Sequence, residues 1–272
     1  KLTETLFNRE ANEFPRQVLK KGVAGINKFD KLIIKNNNKL FDGIISISYA
    51  LEQYLKYYVD DTPVLIVPIT VDTDRFDLEG TFKKTNNITY CGSLNIEKDG
   101  LEILIRSFAR IAEKHKDVVL ELVGETSNKK MFERLMSEIR ELNIEGNVVF
   151  RGFIERDKIP EVLCQARVLI LSRPENLQSK GGFPTKLGEY LAAGKPVIVT
   201  AVGDIPKYIE NRKNGYLAEP GNVESIAESL EEIISNYDEA KKVGLSGRKL
   251  AESEFNPVFQ GRRICSFINS LK

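Results

Sequence analysis

The chain has 272 residues, 42% hydrophobic and 29% charged, an ordinary globular composition sufficient for one large domain or two of usual size. With 40 Lys plus Arg against 39 Asp plus Glu the formal net charge is +1, so no global field draws the protein to nucleic acid and its partners must be argued from local sites. The longest apolar runs, at 118–123 and 168–171, fall far short of the ~20 residues of a membrane-spanning helix. Cys91, Cys164 and Cys265 are odd in number, widely spaced and set among apolar residues, which reads as buried free thiols of a cytoplasmic protein.

Residues 1–41 carry no strand pattern and many basic and Asn residues, so they read as helical or irregular. The chain opens on Lys1-Leu2-Thr3 without an initiator Met or a signal-peptide pattern, which reads as a fragment boundary. Asp42-Gly43 leads into an apolar strand at 44–47, a helix at 50–58 and a second strand at 64–67 that stops at Pro68. One strand–helix pair cannot complete a second sheet, so an incomplete N-terminal α/β domain is expected over 1–75.

From residue 88 onward short apolar runs alternate with segments of helical period, the pattern of a parallel sheet. Strands are predicted at 88–91, 118–123, 148–150, 168–171 and 196–199. Leu101, Leu104, Ile105, Phe108 and Ile111 mark one helix face between them, Met131, Leu135, Ile139 and Leu142 another, and further helices fall near 157–166 and 185–193. Five strands so interleaved imply a doubly wound, Rossmann-like domain over 76–256, closed by a helix that Asn222 caps. Beyond the Asn256-Pro257 break, Ile264, Phe267, Ile268 and Leu271 are spaced to bury one face of a last helix in 257–272.

The densest chemical signal is the segment 181–200, Gly-Gly-Phe-Pro-Thr-Lys-Leu-Gly-Glu-Tyr-Leu-Ala-Ala-Gly-Lys-Pro-Val-Ile-Val-Thr. Gly182 lets backbone approach a ligand, Pro184 stands near the first helical position, and the amides of Phe183, Thr185 and Lys186 point out of a helix N-terminus carrying roughly half a positive charge. Such an end binds phosphate. One turn further on, the Glu189 carboxylate can accept hydrogen bonds from two ribose hydroxyls. Taken singly, each of these residues also has an ordinary reading as loop punctuation or solvated helix surface.

The whole string resembles the donor-site signature of glycosyltransferase family 4, the group 1 enzymes of GT-B fold, in which a Gly-Phe loop precedes a helix bearing a glutamate. Gly92-Ser93-Leu94 and Lys98 resemble the first loop of the donor domain, and the resemblance implies that Lys98 contacts the donor diphosphate. Gly152-Phe153-Ile154 resembles the segment whose backbone holds the nucleobase. Val202-Gly203-Asp204, Asn214-Gly215 and Pro220-Gly221-Asn222 extend the likeness, which covers about residues 40–256, and the last helix resembles the segment that crosses back to the N-terminal domain.

Two departures stand out. Gly181 occupies the place of a first glutamate eight positions before Glu189, and Ser93 that of the first-loop arginine. Arg173, in Leu171-Ser172-Arg173-Pro174-Glu175 at a strand's carboxyl end, either restores the missing positive charge or is a solvated loop residue. His115, the single histidine, falls at the end of a helix away from the motifs and reads as a surface residue, and no cluster has metal-ligand spacing.

The resemblance implies transfer of a sugar, with retention, from a nucleotide diphosphate sugar to a carbohydrate or lipid-linked acceptor in polysaccharide or glycoconjugate biosynthesis, without a bound metal or other cofactor. The catalytic residues, and any peripheral membrane association, are expected in an N-terminal part outside this chain, which by itself is expected to bind nucleotide without transferring sugar. The rival readings are a nucleotide-binding module without catalysis and a sugar-nucleotide 2-epimerase.

Overall fold

The computed structural model describes residues 41–56, 61–77, 85–126 and 128–271. The expectation for residues 1–40 and the end of the helix expected to reach residue 58 lie outside the described residues.

The N-terminal unit consists of β1 (Ile44–Ser46), α1 (Tyr49–Lys56) and β2 (Val64–Ile66). The two strands pair in parallel, Ile44 opposite Val64 and Ser46 opposite Ile66. A connecting segment through Ile69 and Val71 reaches a 3-10 turn at Thr73–Phe76, capped by Asp72, and buries Ile69, Val71 and Phe76 in the core of the larger domain.

The main sheet is built from β3 (Asn87–Cys91), β4 (Val119–Val123), β5 (Val148–Gly152), β6 (Val168–Leu171), β7 (Val197–Thr200) and β8 (Tyr216–Ala218). β3, β4, β6 and β7 are buried almost throughout, which is why they read as continuous apolar runs without alternation. All pairings are parallel in the order β5-β4-β3-β6-β7-β8. The chain therefore starts in the middle, runs out to β5, returns to β6 and runs out the other way to β8. The direction reverses between β3 and β6, and the loops leaving those two strands diverge around a crevice, where an open α/β sheet takes its ligand.

The helices that connect the strands are α2 (Ile96–Asp99), α3 (Leu101–Ala112), α4 (Lys129–Glu141), α5 (Ile159–Gln165), α6 (Leu177–Gly181), α7 (Thr185–Ala192) and α8 (Ile205–Tyr208), followed by α9 (Val223–Ser235), α10 (Tyr237–Ser253) and α11 (Pro257–Ser270). α3 packs against α4 and α9, and α7 against α5 and α10, so that both faces of the sheet are covered. On α3 the side chains of Leu101, Leu104, Ile105, Phe108 and Ile111 are all buried, as their spacing requires. Asn222 caps α9 by accepting the Ser225 N–H at 3.1 Å.

Several expectations are corrected. The sheet has six strands, not five, because Tyr216–Ala218 pairs with β7. Three residues between Asn214-Gly215 and Glu219-Pro220 are too short to show any periodicity. α6, opened by an Asn176–Ser179 capping box, is likewise additional to the expected elements. Of the cysteines only Cys91 is buried; Cys164 is half-buried and Cys265 exposed. The apolar residues around Cys265 do not form a buried face: Ile264, Phe267 and Leu271 are half-buried and Ile268 is exposed. Gly43, at the start of β1, lies in close contact with Phe267 and Leu271 on that helix. His115 is half-buried, its Nε2 2.8 Å from Glu231 on α9. No helix among the described residues is long and apolar enough to cross a membrane.

Candidate functional site

The loop after β3 is folded by its own backbone. Gly92 N–H donates to Val123 O at 2.8 Å and Leu94 N–H to Glu125 O at 3.0 Å, while Asn95 caps α2 by accepting the Lys98 N–H at 2.7 Å. α2 ends at Gly100, whose φ of 67° turns the chain directly into α3. The loop after β6 is tied to it: Ser172 Oγ lies 3.0 Å from Asp99 O and 3.1 Å from Gly100 O, and Asn176 Nδ2 donates to Glu97 O at 3.2 Å. Between them opens a crevice of about 760 Å³ with Asn95, Glu97, Lys98, Glu175, Gln178 and Lys180 among its lining residues.

Beside the crevice lies a cluster of three charged residues and a tyrosine gathered from four segments. Asp99 is 2% exposed, and its Oδ2 accepts from Lys186 Nζ at 2.8 Å and from Tyr90 OH at 2.9 Å. Lys186 Nζ also donates to Tyr90 OH at 2.7 Å and rests 4.7 Å from the centre of that ring. The Tyr90 hydroxyl lies 2.6 Å from Ser93 O, so its single proton is shared between that carbonyl and Asp99. Arg173, 4% exposed, brings Nε to 3.9 Å from Asp99 Oδ1, and this Nε is buried without a hydrogen-bond partner.

A buried guanidinium and a half-buried ammonium thus share one buried carboxylate, an excess of one positive charge at the ends of β3 and β6. Burial pushes Lys186 below the ordinary lysine value and lowers Arg173 as well, with Asp99 opposing both shifts. Burial, reinforced by Asp99, raises the Tyr90 phenol far above its usual range and keeps it protonated. Burial likewise pushes the neighbouring Cys91 thiol up to about 12, so it is no nucleophile at neutral pH.

The residues singled out in the sequence fall into distinct groups. Gly92, Ser93, Lys98, Thr185 and Lys186 surround the ends of β3 and α7, and a Cβ on Gly92 would overlap Lys186 Nζ. The amides of Phe183, Thr185 and Lys186 donate to no residue among those described, whereas Gly182 N–H is taken by Gln178 O at 3.0 Å. The Phe183 side chain is core: its ring meets Tyr208 and Phe255 edge-on at 5.2 and 5.6 Å, and Pro184 is buried, so at these two positions only backbone is open to a ligand. Gly152 ends β5 and Phe153 and Ile154 follow it, two strand spacings or ~10 Å from β3, with Phe153 69% exposed.

Glu189 is a third exposed, with Arg75 Nη1 from the connecting segment 3.8 Å away. Arg173 is neither solvated nor at the crevice surface; its positive charge acts from behind Asp99, because the Thr200 hydroxyl holds its carbonyl at 2.7 Å and draws the loop under the sheet end. Gly181 is buried, and its carbonyl accepts from Ser48 Oγ at 2.6 Å, while Tyr49 N–H donates to Asp204 Oδ2 at 2.6 Å. The N-terminal unit therefore touches the segments around Gly181 and Asp204 directly.

Asp99, Tyr90 and Arg75 join the site without any mark in the sequence motifs. Asp99 stands between Lys98 and Gly100, and a carboxylate at the end of a glycine-closed turn is the only local hint. His115 follows α3, a helix of 12 residues that starts at the crevice and rises ~1.5 Å per residue away from it. Among the described residues no three His, Cys, Asp or Glu side chains gather as metal ligands would.

The sequence profile of the glycosyl transferases group 1 matches residues 72–250, more than half of the chain. The chain belongs to that family. An uncharacterized glycosyltransferase of Methanocaldococcus jannaschii is 30% identical over 150 residues, covering 55% of this chain and 36% of the relative. A GDP-mannose-dependent monoacylated alpha-(1-6)-phosphatidylinositol monomannoside mannosyltransferase of Corynebacterium glutamicum is 24% identical over 237 residues, covering 82% of this chain and 60% of the relative. The chain thus spans only part of the length of these relatives. The crystal structure of Anabaena HepE in complex with UDP and glucose superposes with a TM-score of 0.76 at 19% identity, over 89% of this chain and 67% of that one, and establishes the fold as GT-B.

Proposed function

We propose that this chain holds the nucleoside diphosphate sugar of a retaining, family 4 type glycosyltransferase, which passes the sugar to a carbohydrate or lipid-linked acceptor in the cytoplasm. The observation that carries this reading is the positive excess of Lys186 and Arg173 over Asp99 at the switch-point crevice, beside Lys98 and the free amides of α7. A leaving diphosphate gains negative charge in the transition state, and preoriented cations and amides stabilise that charge without further reorganisation. In this reading the protein's own cations neutralise the diphosphate without a bound metal.

The base lies along Gly152, Phe153 and Ile154, the ribose hydroxyls bind Glu189, and the phosphates reach Lys98 and the Gly182 to Lys186 loop. HepE is seen with UDP, while the corynebacterial mannosyltransferase depends on GDP-mannose, so relatives of this fold differ in their base. The diphosphate is the shared feature.

Calorimetry with UDP, GDP and ADP beside uridine, guanosine and adenosine tests the reading. At least one diphosphate should bind more tightly than its nucleoside, and Lys98→Ala should weaken it by about 1.5–3 kcal/mol, the range for a hydrogen bond to a charged group. Glu189→Gln should cost the ribonucleotide more than its dideoxy analogue. No preference for any diphosphate over its nucleoside would contradict the donor assignment.

A nucleotide-binding module without transfer is the second reading, favoured by Gly181, where a buried backbone carbonyl bonded to Ser48 stands in the place of a carboxylate. Release of labelled sugar from the bound donor to any acceptor would exclude it.

A further inference from the structure

We propose that the side chain of Lys186, held in place by Asp99 and Tyr90, grips the diphosphate directly, with Asp99 acting as its positioning residue. The inference rests on the donor reading above and assigns the cation within it.

An ammonium has three N–H donors. At Lys186 two are used, by Asp99 at 2.8 Å and Tyr90 at 2.7 Å, and the third has no partner among the described residues. The side chain crosses Gly92 at the end of β3, which only a residue without Cβ allows, and stays 19% exposed. A merely structural ion pair would be balanced by its carboxylate. Here Arg173 faces the same carboxylate from the buried side at 3.9 Å, so the cluster holds one more cation than anion, and Lys186 is the cation nearer solvent. Lys98, a second positive charge close enough to disfavour the Lys186 ammonium, also favours an anion between them. The same Lys186 stands at the second position of α7, beside the free amides of Thr185 and Lys186. A phosphate there would accept from side chain and backbone together, without any change of rotamer at Lys186.

Lys186→Met is suited to a test because it leaves Asp99 and Arg173 as a one-to-one pair. Lys186→Gln provides a polar alternative should the Met variant fold poorly, and melting temperatures report folding for each. Affinities for the tightest-binding nucleoside diphosphate and for its nucleoside are measured in the wild type, in both Lys186 variants and in Asp99→Asn. The ratio of the two affinities should fall by between about 10- and 150-fold in the Lys186 variants, the range for a hydrogen bond to a charged group, with nucleoside affinity unchanged. Asp99→Asn should lower the same ratio, whereas general loosening would weaken both ligands alike. A wild type that prefers the diphosphate, with Lys186 variants that keep the preference, would overturn this inference and leave the donor reading intact. A wild type without the preference would overturn both.

Discussion

Replacing Asp99 by alanine is expected to destabilise the protein by about 3–5 kcal/mol, the usual cost of breaking a buried ion pair from one side. The carboxylate is 2% exposed and is the anion facing both Lys186 and Arg173, so its removal leaves two cations in a low-dielectric site. Burial already pushes both below their ordinary values, and Asp99 is the largest opposing influence in each case. Without it the Lys186 ammonium loses its proton more easily. The part of the deficit that belongs to Lys186 should then shrink as pH rises toward the ordinary lysine value, because a folded-state lysine pKa below the unfolded one penalises folding at lower pH and is relieved above it. Denaturant unfolding of both proteins at pH 7 and pH 9.5 checks this. A loss under about 1 kcal/mol at pH 7, the scale of an exposed pair, would mean that the cluster is solvated.

Gly100→Ala should cost more than ~2 kcal/mol and weaken nucleotide binding at the same time. The left-handed conformation alone costs an alanine roughly 1–2 kcal/mol, and φ at Gly100 is 67°. In addition, the new Cβ would overlap the Ser172 carbonyl oxygen and come within 3.3 Å of Pro174 Cδ, so the loop after β6 would have to move. That movement separates the walls of the crevice and shifts Lys98 and Asp99, which immediately precede the glycine. Gly146→Ala is the matched control: no atom lies within 4 Å of its Cβ, and a surface change of this kind stays within about 0.5 kcal/mol. Similar melting temperatures for the two variants would contradict the account of the turn.

The contrast between those two glycines indicates where sequence reasoning reaches and where it stops. Periodicity locates a strand when several buried positions follow one another, as at Val168–Leu171, and a helix when one face is buried for three turns, as on α3. It does not reach β8, three residues whose place is decided by pairing with β7, nor α6, a single turn held by its Asn176 cap. The resemblance of 181–200 to a donor loop directs attention to the right end of the sheet. Within that loop, whether a side chain serves the ligand or the core depends on distant partners. Phe183 turns inward onto Tyr208 and Phe255, and Lys186 turns outward onto Asp99 and Tyr90, although they are three positions apart in one segment. Arg173 is readable as a cation at a strand end, but its burial follows from Thr200 and Asp99 in other segments. Cys265 shows the converse, an apolar neighbourhood in sequence that the fold leaves exposed.

If the donor reading holds, a nucleoside diphosphate occupies the crevice at the switch point between β3 and β6. A crystal structure of the chain soaked with the diphosphate that binds most tightly tests it most directly. Phosphate oxygens should lie within hydrogen-bond distance of Lys186 Nζ and the Thr185 and Lys186 amides, with the ribose at Glu189 and the base along Gly152 to Ile154. A nucleotide bound elsewhere, or one that approaches this crevice with its base while its phosphates point away from Lys186 and Lys98, would contradict it.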